Sequence, residues 1–145
     1  MEFNNSFTVE KPIDEVWGTM VDLARVVPCV PGATILEKTG DKAVKAEVKI
    51  KLGSMSMNYS GPAEIVEQDD AAHRAVMNAR ATEAGGQGAA DAKVSMHLTG
   101  DGDMTEVALH SEINVTGKAA QMGEGVIAAV TEGMIKEFSQ NLAKL

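Results

Sequence analysis

The sequence has 145 residues, of which 44% are hydrophobic, and its formal net charge is −8, so we expect one globular domain over residues 1–145. The negative charge disfavours nonspecific binding to nucleic acid or to anionic lipid head groups. A single cysteine excludes an internal disulfide, and neither a signal peptide nor a membrane-spanning run is recognisable, which together predict a cytoplasmic protein.

The first part of the chain predicts one strand followed by two short helices. Residues 2–9 intersperse apolar with polar side chains, as in a strand. Pro12 suits the first turn of a helix, and Asp22 is a candidate N-cap for a second helix that ends at Val27. Prolines and a glycine in the segment 28–32 predict an irregular loop.

After residue 33 the hydrophobic period changes to two, which predicts about six antiparallel strands. The clearest is 42–52, where apolar residues occupy the even positions and mostly lysines the odd ones. Gly61-Pro62 predicts a bulge or a bend in the next strand. The glycine-rich stretch 84–88 predicts a flexible tip between two later strands.

The last hairpin decides where two of the three histidines lie. A two-residue turn at Asp101-Gly102 pairs Met96 with Val107, so that inward residues face inward residues. In that register His97 and His110 point outward and lie roughly 13 Å apart. No nucleophile elbow, zinc-protease or phosphate-loop motif occurs. The sequence therefore predicts neither a metal site nor catalytic residues.

The segment 118–143 predicts one long amphipathic helix, because its apolar residues recur every three or four positions. The predicted apolar stripe consists of Ile127, Val130, Met134, Phe138, Leu142 and Leu145, widened by Val126 and Ala129. Such a helix has to bury its apolar face against the sheet. The predicted architecture is therefore an α+β helix-grip fold: a curved antiparallel sheet around a long C-terminal helix, with two short helices after the first strand.

This helix either completes a closed core or covers a ligand cavity. The inward positions of the strand around 75–81 are mostly alanine, and several inward positions elsewhere are methionine, which favours the cavity. The predicted ligand-binding residues are Trp17, Met20, Met57, Tyr59, Met77, Ala79, Met96, Leu109, Val126, Ile127, Val130 and Met134, with Val27 and Val30 at a mouth beside the 28–32 loop.

Three further features allow two interpretations each. The hydroxyl of Tyr59 is either part of a core hydrogen bond or a polar contact for a ligand. Cys29 is interpreted as a structural thiol rather than a nucleophile, because no histidine lies near it in sequence to activate it. Lys45, Lys49 and Lys51 share one outward face, which is either solvated or a surface for an acidic partner.

Short motifs spread over nearly the whole chain carry a resemblance to a known family. They are Phe7-Thr8-Val9 with Pro12 and Val16-Trp17, Cys29-Val30-Pro31-Gly32, Lys51-Leu52-Gly53, Tyr59-Ser60-Gly61, and Val115-Thr116-Gly117 with Ala119 and Gly123. In these motifs the sequence resembles the carbon monoxide dehydrogenase CoxG family, within the START-like (Bet v 1-like, SRPBCC) superfamily. The Cys-x-Pro-Gly segment before a strand is the most specific of them.

The resemblance implies a helix-grip fold with an internal apolar cavity, and an accessory role beside an aerobic carbon monoxide dehydrogenase or a similar oxidoreductase. It implies a non-catalytic carrier of an apolar molecule in electron transport. The expected ligand is a respiratory isoprenoid quinone of the menaquinone type or a lipid, with no covalent cofactor. The alternative is an assembly or membrane-recruitment factor that binds the oxidoreductase through its surface. A cofactor-free enzyme of the START-like class is the third interpretation.

The expected partners are thus the apolar small molecule and the oxidoreductase, with no nucleic acid. Contact with the inner face of the membrane is expected to be transient and peripheral. Family members often carry a further C-terminal extension suited to membrane attachment, whereas this sequence ends at Leu145. Stable membrane attachment is therefore not expected of residues 1–145.

Overall fold

Seven antiparallel strands form a single sheet in the computed structural model, which describes residues 1–145. The strands are β1 (Glu2–Val9), β2 (Ala33–Gly40), β3 (Ala43–Leu52), β4 (Met55–Asp69), β5 (Arg74–Glu83), β6 (Ala89–Asp101) and β7 (Met104–Val115). Their order in the sheet is β1-β7-β6-β5-β4-β3-β2. Strands β2 to β7 pair with their neighbours in sequence, whereas β1 pairs with β7.

Helices cover one face of this sheet, which we call the inner face. They are α1 (Ile13–Met20), α2 (Leu23–Val26), α3 (Lys118–Gln121) and α4 (Glu124–Ala143), with a 3-10 turn over Val27–Cys29. The side chain of Asp22 accepts a hydrogen bond from the amide of Ala24, which confirms the predicted cap. Part of the segment predicted as an irregular loop is thus helical, since the 3-10 turn follows α2 directly.

The C-terminal helix is interrupted, so the prediction of one continuous helix from residue 118 was wrong. α3 ends at Gln121 and α4 begins at Glu124. Between them Gly123 has a φ of +90°, a left-handed conformation that favours glycine and ends the regular helical path. Within α4, Ile127, Phe138 and Leu142 are buried.

Two residues assigned to the apolar stripe of α4 do not face the sheet. Ala129 is exposed, and Leu145 lies beyond the end of the helix with 53% of its surface exposed. Val130 and Met134, which complete the stripe, are half-buried. The apolar face of the helix is therefore narrower than the sequence suggested, and its buried residues are Ile127 near the start and Phe138 and Leu142 near the end.

α4 lies across the inner face and approaches the sheet at β1 and β3, two strands on opposite sides of the sheet centre. The ring of Phe138 meets that of Phe7 edge-on at a centroid distance of 5.9 Å and an angle of 72°. The side-chain amide of Asn141 donates to the carbonyl oxygen of Cys29 at 2.9 Å. These contacts confirm that the C-terminal helix covers the sheet.

The β6–β7 register differs from the predicted one by two residues. The turn is Gly102-Asp103, with Gly102 at a φ of +61°, and Met96 pairs with Leu109. Glycine in the first turn position suits a primed two-residue turn. Because the shift is two residues, every side chain keeps its predicted face. His97 and His110 are therefore two positions apart along the ladder, closer than predicted.

The bulge in β4 also falls at a different residue. The pairing with β5 shifts at Val66, whereas the register is the same on both sides of Gly61-Pro62. Gly61 is instead a point of close backbone approach: a Cβ there would lie 2.0 Å from the carbonyl oxygen of Arg80. Only glycine fits this position.

Candidate functional site

The buried side chains of the inner face form two separate clusters. The larger contains 17 buried residues, among them Trp17, Val107 and Phe138, and lies where α1, α2 and the C-terminal half of α4 meet the sheet. We call this region the packed end. The smaller cluster, called the Tyr59 end, consists of Leu52, Met57, Tyr59 and Ala119.

A strip of alanines runs from one cluster to the other, with Ala63 packed against the larger cluster and Ala81 and Ala90 against the smaller. The alanine strip comprises Ala63, Ala79 and Ala92, which pair side by side on β4, β5 and β6. It also includes Ala81 and Ala90, which pair with each other two residues further along β5 and β6. All five residues face the helical side of the sheet, yet all are only half-buried. Because α4 approaches the sheet at β1 and β3, it bridges over the strands that carry this strip. The strip thus consists of short side chains on the part of the sheet between the two main contacts of α4.

The structure divides the predicted ligand-binding residues among these regions. Trp17, Met20, Val27, Met96 and Leu109 belong to the packed end, with Val30 and Met77 half-buried against it. Met57 and Tyr59 belong to the Tyr59 end, with Val130 half-buried against it. Ala79, Val126, Ile127 and Met134 belong to neither cluster. That this set binds a ligand stays a prediction.

The mouth beside the 28–32 segment stays a prediction. Val27 is only 8% exposed, so it has little surface for contact with a membrane or a partner. The carbonyl oxygen of Gly32 accepts from the amide of Lys49 at 3.0 Å, which fixes the segment to β3. Pro28 and Gly32 are exposed, and Val30 and Pro31 are half-buried.

Two polar side chains at the packed end, those of Trp17 and Cys29, have partners in the protein. The indole nitrogen of Trp17 donates to Oδ1 of Asp70 at 3.0 Å, and its ring meets that of His73 edge-on at 5.5 Å. Cys29 is 3% exposed, its Sγ lies 3.6 Å from the carbonyl oxygen of Arg25, and burial raises the pKa of the thiol. These contacts support a structural role for Cys29.

Tyr59 differs from these residues. It is 6% exposed, and its hydroxyl has no hydrogen-bond partner in the protein. The alternative in which this hydroxyl takes part in a core hydrogen bond is therefore wrong. Burial, and secondarily the carboxylate of Glu83, raise the pKa of Tyr59, so the phenol stays protonated. Asn5 on β1 also faces the inner side of the sheet. It is half-buried, and its Oδ1 has no hydrogen-bond partner.

Glu83 lies directly opposite Tyr59 in the β4–β5 ladder and is 7% exposed. Its Oε2 accepts from the backbone amide of Asn58 at 2.9 Å, and its Oε1 from that of Gly85 at 2.6 Å. These bonds, that of Asn58 first, hold the pKa of Glu83 below its usual range. The sequence analysis missed this residue, although an inward glutamate directly before a glycine-rich tip was a usable signal.

The glycine-rich tip 84–88 is fixed to the start of α3. The carbonyl oxygen of Gln87 accepts from the amide of Lys118 at 2.9 Å. A Cβ on Gly88 would lie 2.1 Å from the carbonyl oxygen of Thr116. Small residues thus let these two segments meet, and the tip encloses Glu83 rather than extending freely.

The outer face of the sheet carries two open grooves, of about 860 Å³ and 630 Å³. The larger is lined by charged side chains such as Glu64, Arg80 and Lys93, and crosses the sheet at the alanine strip. An apolar ligand would leave these charges unsolvated, so we place the candidate site on the inner face despite the size of the groove.

One cluster of metal-ligand residue types lies on that outer face. Ligand atoms of Glu2, His110 and Glu112 are all within 4.8 Å of one another. Nδ1 of His110 is 2.7 Å from Oδ1 of Asn4. The sequence analysis did not bring these residues together, because they meet only through the β1–β7 pairing. Nε2 of His110 lies 3.6 Å from Oε1 of Glu2, and we assign no metal to this cluster.

No helix of the protein has both the length and the apolar content needed to cross a bilayer.

Comparison with known families and structures agrees with this geometry. A family model for CoxG, the G-subunit of carbon monoxide dehydrogenase, matches residues 6–145. Curated protein sequences gave no match. A conserved protein from Geobacillus kaustophilus is similar with a TM-score of 0.88 and 21% identity, over 99% of this chain and 93% of that one.

Two further solved structures share the fold. They are a START superfamily protein from Mycobacterium smegmatis (TM-score 0.66, 9% identity, 99% of this chain and 94% of that one) and norcoclaurine synthase from Thalictrum flavum (TM-score 0.64, 14% identity, 99% and 84%). At these identities the similarity shows the fold alone. The predicted α+β, START-like (Bet v 1-like) architecture is confirmed.

Proposed function

The chain belongs to the carbon monoxide dehydrogenase CoxG family, an accessory rather than a catalytic family, and we propose that it binds and carries an apolar ligand. The ligand is a respiratory isoprenoid quinone of the menaquinone type or a lipid, and the protein served is an aerobic carbon monoxide dehydrogenase or a similar oxidoreductase. A redox enzyme in water has to pass electrons to a quinone in the bilayer. A carrier that shields the quinone from water supplies that link.

The observation that supports this proposal is the alanine strip beneath α4. These alanines are half-buried on the part of the sheet that α4 spans. On this proposal their short side chains leave room for the apolar atoms of a ligand. Each buried CH₂ group of a ligand contributes about 0.8 kcal/mol. A few isoprene units laid along the strip therefore suffice for useful affinity, while a longer tail extends out of the protein.

Binding is testable without knowing the ligand in advance. Mass spectrometry of an organic extract of the purified protein should find a stoichiometric quinone or lipid. The parent protein should also take up a fluorescent prenyl analogue. Ala79→Phe places a ring over the centre of the strip and should abolish uptake, with an unchanged far-UV circular dichroism spectrum. A folded Ala79→Phe protein that takes up the analogue as well as the parent does would contradict the location of the site.

The second candidate function is an assembly or membrane-recruitment factor for the oxidoreductase. The charged groove on the outer face favours it, because Glu64, Arg80 and Lys93 suit a polar protein surface. A parent protein that takes up no analogue and carries no extractable ligand, yet forms a stable complex with the oxidoreductase, would make this function the better one.

A further inference from the structure

The Tyr59 hydroxyl is the buried polar atom of this molecule that most needs a ligand. Three buried side-chain atoms lack a hydrogen-bond partner: Oδ1 of Asn5, Oδ1 of Asn58 and the hydroxyl of Tyr59. Asn58 pairs with Lys49 and shares its outward side of the sheet, and Asn5 is half-buried. Tyr59 alone is more than nine-tenths buried and points to the inner face. A buried polar group without a partner is unfavourable, and a ligand oxygen supplies that partner.

The surroundings of this hydroxyl restrict the chemistry of the partner. Glu83 pairs with Tyr59 across the ladder, and backbone amides already donate to both of its carboxylate oxygens. The other members of the Tyr59 end, Leu52, Met57 and Ala119, are apolar. A ligand group at this position therefore meets one hydrogen-bond donor, one fixed negative charge and an apolar wall.

We propose that Tyr59 donates a hydrogen bond to an uncharged carbonyl oxygen of the bound ligand, and that Glu83 excludes anionic head groups from the same place. The inference rests on the proposed function and narrows its ligand class. Neutral carbonyl compounds such as quinones fit, whereas free fatty acids and lipid phosphates do not. An anion would have to lose its water beside a carboxylate, and both effects are unfavourable.

The preference is measurable with two matched probes. A long-chain methyl ketone and the carboxylic acid of the same chain length should each compete with a fluorescent prenyl analogue at neutral pH. In the parent the ketone should bind about tenfold tighter than the acid. Tyr59→Phe should weaken ketone binding by about fivefold, the loss expected for one hydrogen bond. Glu83→Gln should raise acid binding relative to ketone binding.

Thr105→Val is the control, since it removes a buried hydroxyl at the packed end and should leave the ratio of the two probes unchanged. Equal displacement by ketone and acid in the parent, or an unchanged ketone affinity in folded Tyr59→Phe, would overturn the head-group assignment while leaving the carrier function intact. A parent that binds no analogue at all would refute the carrier function, and the assignment with it.

Discussion

Strand β5 runs through both the packed end and the alanine strip, and the same residue type behaves differently in the two places. Ala75 is 3% exposed and pairs with buried Met96, whereas Ala79, on the same face, is half-buried and pairs with Ala92. The difference lies in what covers each alanine. Two short helices and the C-terminal half of α4 fill the space over the packed end. Over the strip, the main contacts of α4 with the sheet are at β1 and β3.

We infer from this difference that two regions of one sheet have different roles. The packed end supplies most of the burial that stabilises the domain, whereas the strip is covered less completely. Substitutions that remove atoms should therefore be costly at the packed end and mild over the strip. Substitutions that add atoms should destabilise the packed end, which is filled. Over the strip we expect them to be tolerated by the fold.

The largest expected effect is the loss of an aromatic ring at the packed end. Phe138→Ala removes the edge-on contact with Phe7 and should lower the free energy of unfolding by about 3–5 kcal/mol. Met134→Ala, one turn earlier on α4 and only half-buried, should cost about 1 kcal/mol or less. Urea unfolding followed by circular dichroism measures both. Equal losses would show that the helix is packed evenly along its length.

Adding the same ring at two points of β5 sharpens the contrast. Ala75→Phe inserts a ring into a filled region and should destabilise the fold by at least about 1–3 kcal/mol. Ala79→Phe should leave the free energy of unfolding within about 1 kcal/mol of the parent, because its ring enters space that side chains do not occupy. Thermal unfolding of the two variants tests this. A collapse of Ala79→Phe would indicate a closed core beneath α4.

Two buried hydroxyls provide a smaller comparison. Thr105 is 0% exposed and donates to the carbonyl oxygen of Lys11 at 2.8 Å. Thr105→Val should therefore cost about 1–3 kcal/mol of unfolding free energy, because the carbonyl loses its donor. Tyr59→Phe should be neutral or stabilising by about 1 kcal/mol at most in the ligand-free protein, since it breaks no hydrogen bond. A marked destabilisation of Tyr59→Phe would reveal an internal partner.

The smallest effect concerns acid stability. The pKa of Glu83 is lowered in the folded protein, first by the amide of Asn58. The contribution of Glu83 to the free energy of unfolding is therefore present above the usual glutamate pKa of about 4.3. It is lost as the pH falls through the lower pKa of the folded protein. Glu83→Gln should make the fall in stability below about pH 4.3 shallower. Amide exchange at Gly85 against pH measures it.

Asp70 at the packed end is the comparison for this test. Its pKa is also lowered, first by the side chain of Gln68 and then by the indole of Trp17. Asp70 is exposed, however, and water screens its interactions. Asp70→Asn should therefore change the fall in stability at acid pH less than Glu83→Gln does. A larger change for Asp70→Asn would place the acid-sensitive contact at the packed end instead.

The alternation of apolar and polar residues predicted the strands well, because successive side chains of a strand point to opposite faces of the sheet. Val44 and Leu52, inward by their even spacing in β3, are both buried as predicted. Turn geometry was harder to predict. Both Asp101-Gly102 and Gly102-Asp103 are chemically acceptable turns, and only the packing of whole strands selects between them. The left-handed conformation of Gly123 was also hard to predict, because the spacing of apolar residues around it does not indicate it.

The candidate site was predicted only in part, and for a similar reason. Apolar lining residues such as Ala79 and Met134 follow from parity and helical spacing, so the sequence places them on the correct faces. Glu83 was missed because its role depends on the conformation of the tip, in which the amide of Gly85 turns back to its carboxylate. The mouth beside the 28–32 segment stays a prediction, since Val27 is buried whereas Pro28 and Gly32 are exposed.

The pairing of β1 with β7 has a consequence for how the chain folds during synthesis. Every other strand pairs with one that is made directly before or after it, whereas Val9 pairs with Thr105. At about 5–20 residues per second, the ribosome delivers that partner several seconds after β1 has emerged. Phe3, Phe7 and Val9 are thus without their partner strand until nearly the whole sheet exists.

This order makes β1 the natural last strand to join the sheet, because contacts between residues distant in sequence are entropically costly until the rest has formed. α4 needs β1 as well, since the ring of Phe138 rests on that of Phe7. Both ends of the chain should therefore dock late and together, after the β2–β7 meander. Pulsed hydrogen exchange during refolding would then show protection of the β4–β5 amides before those of β1.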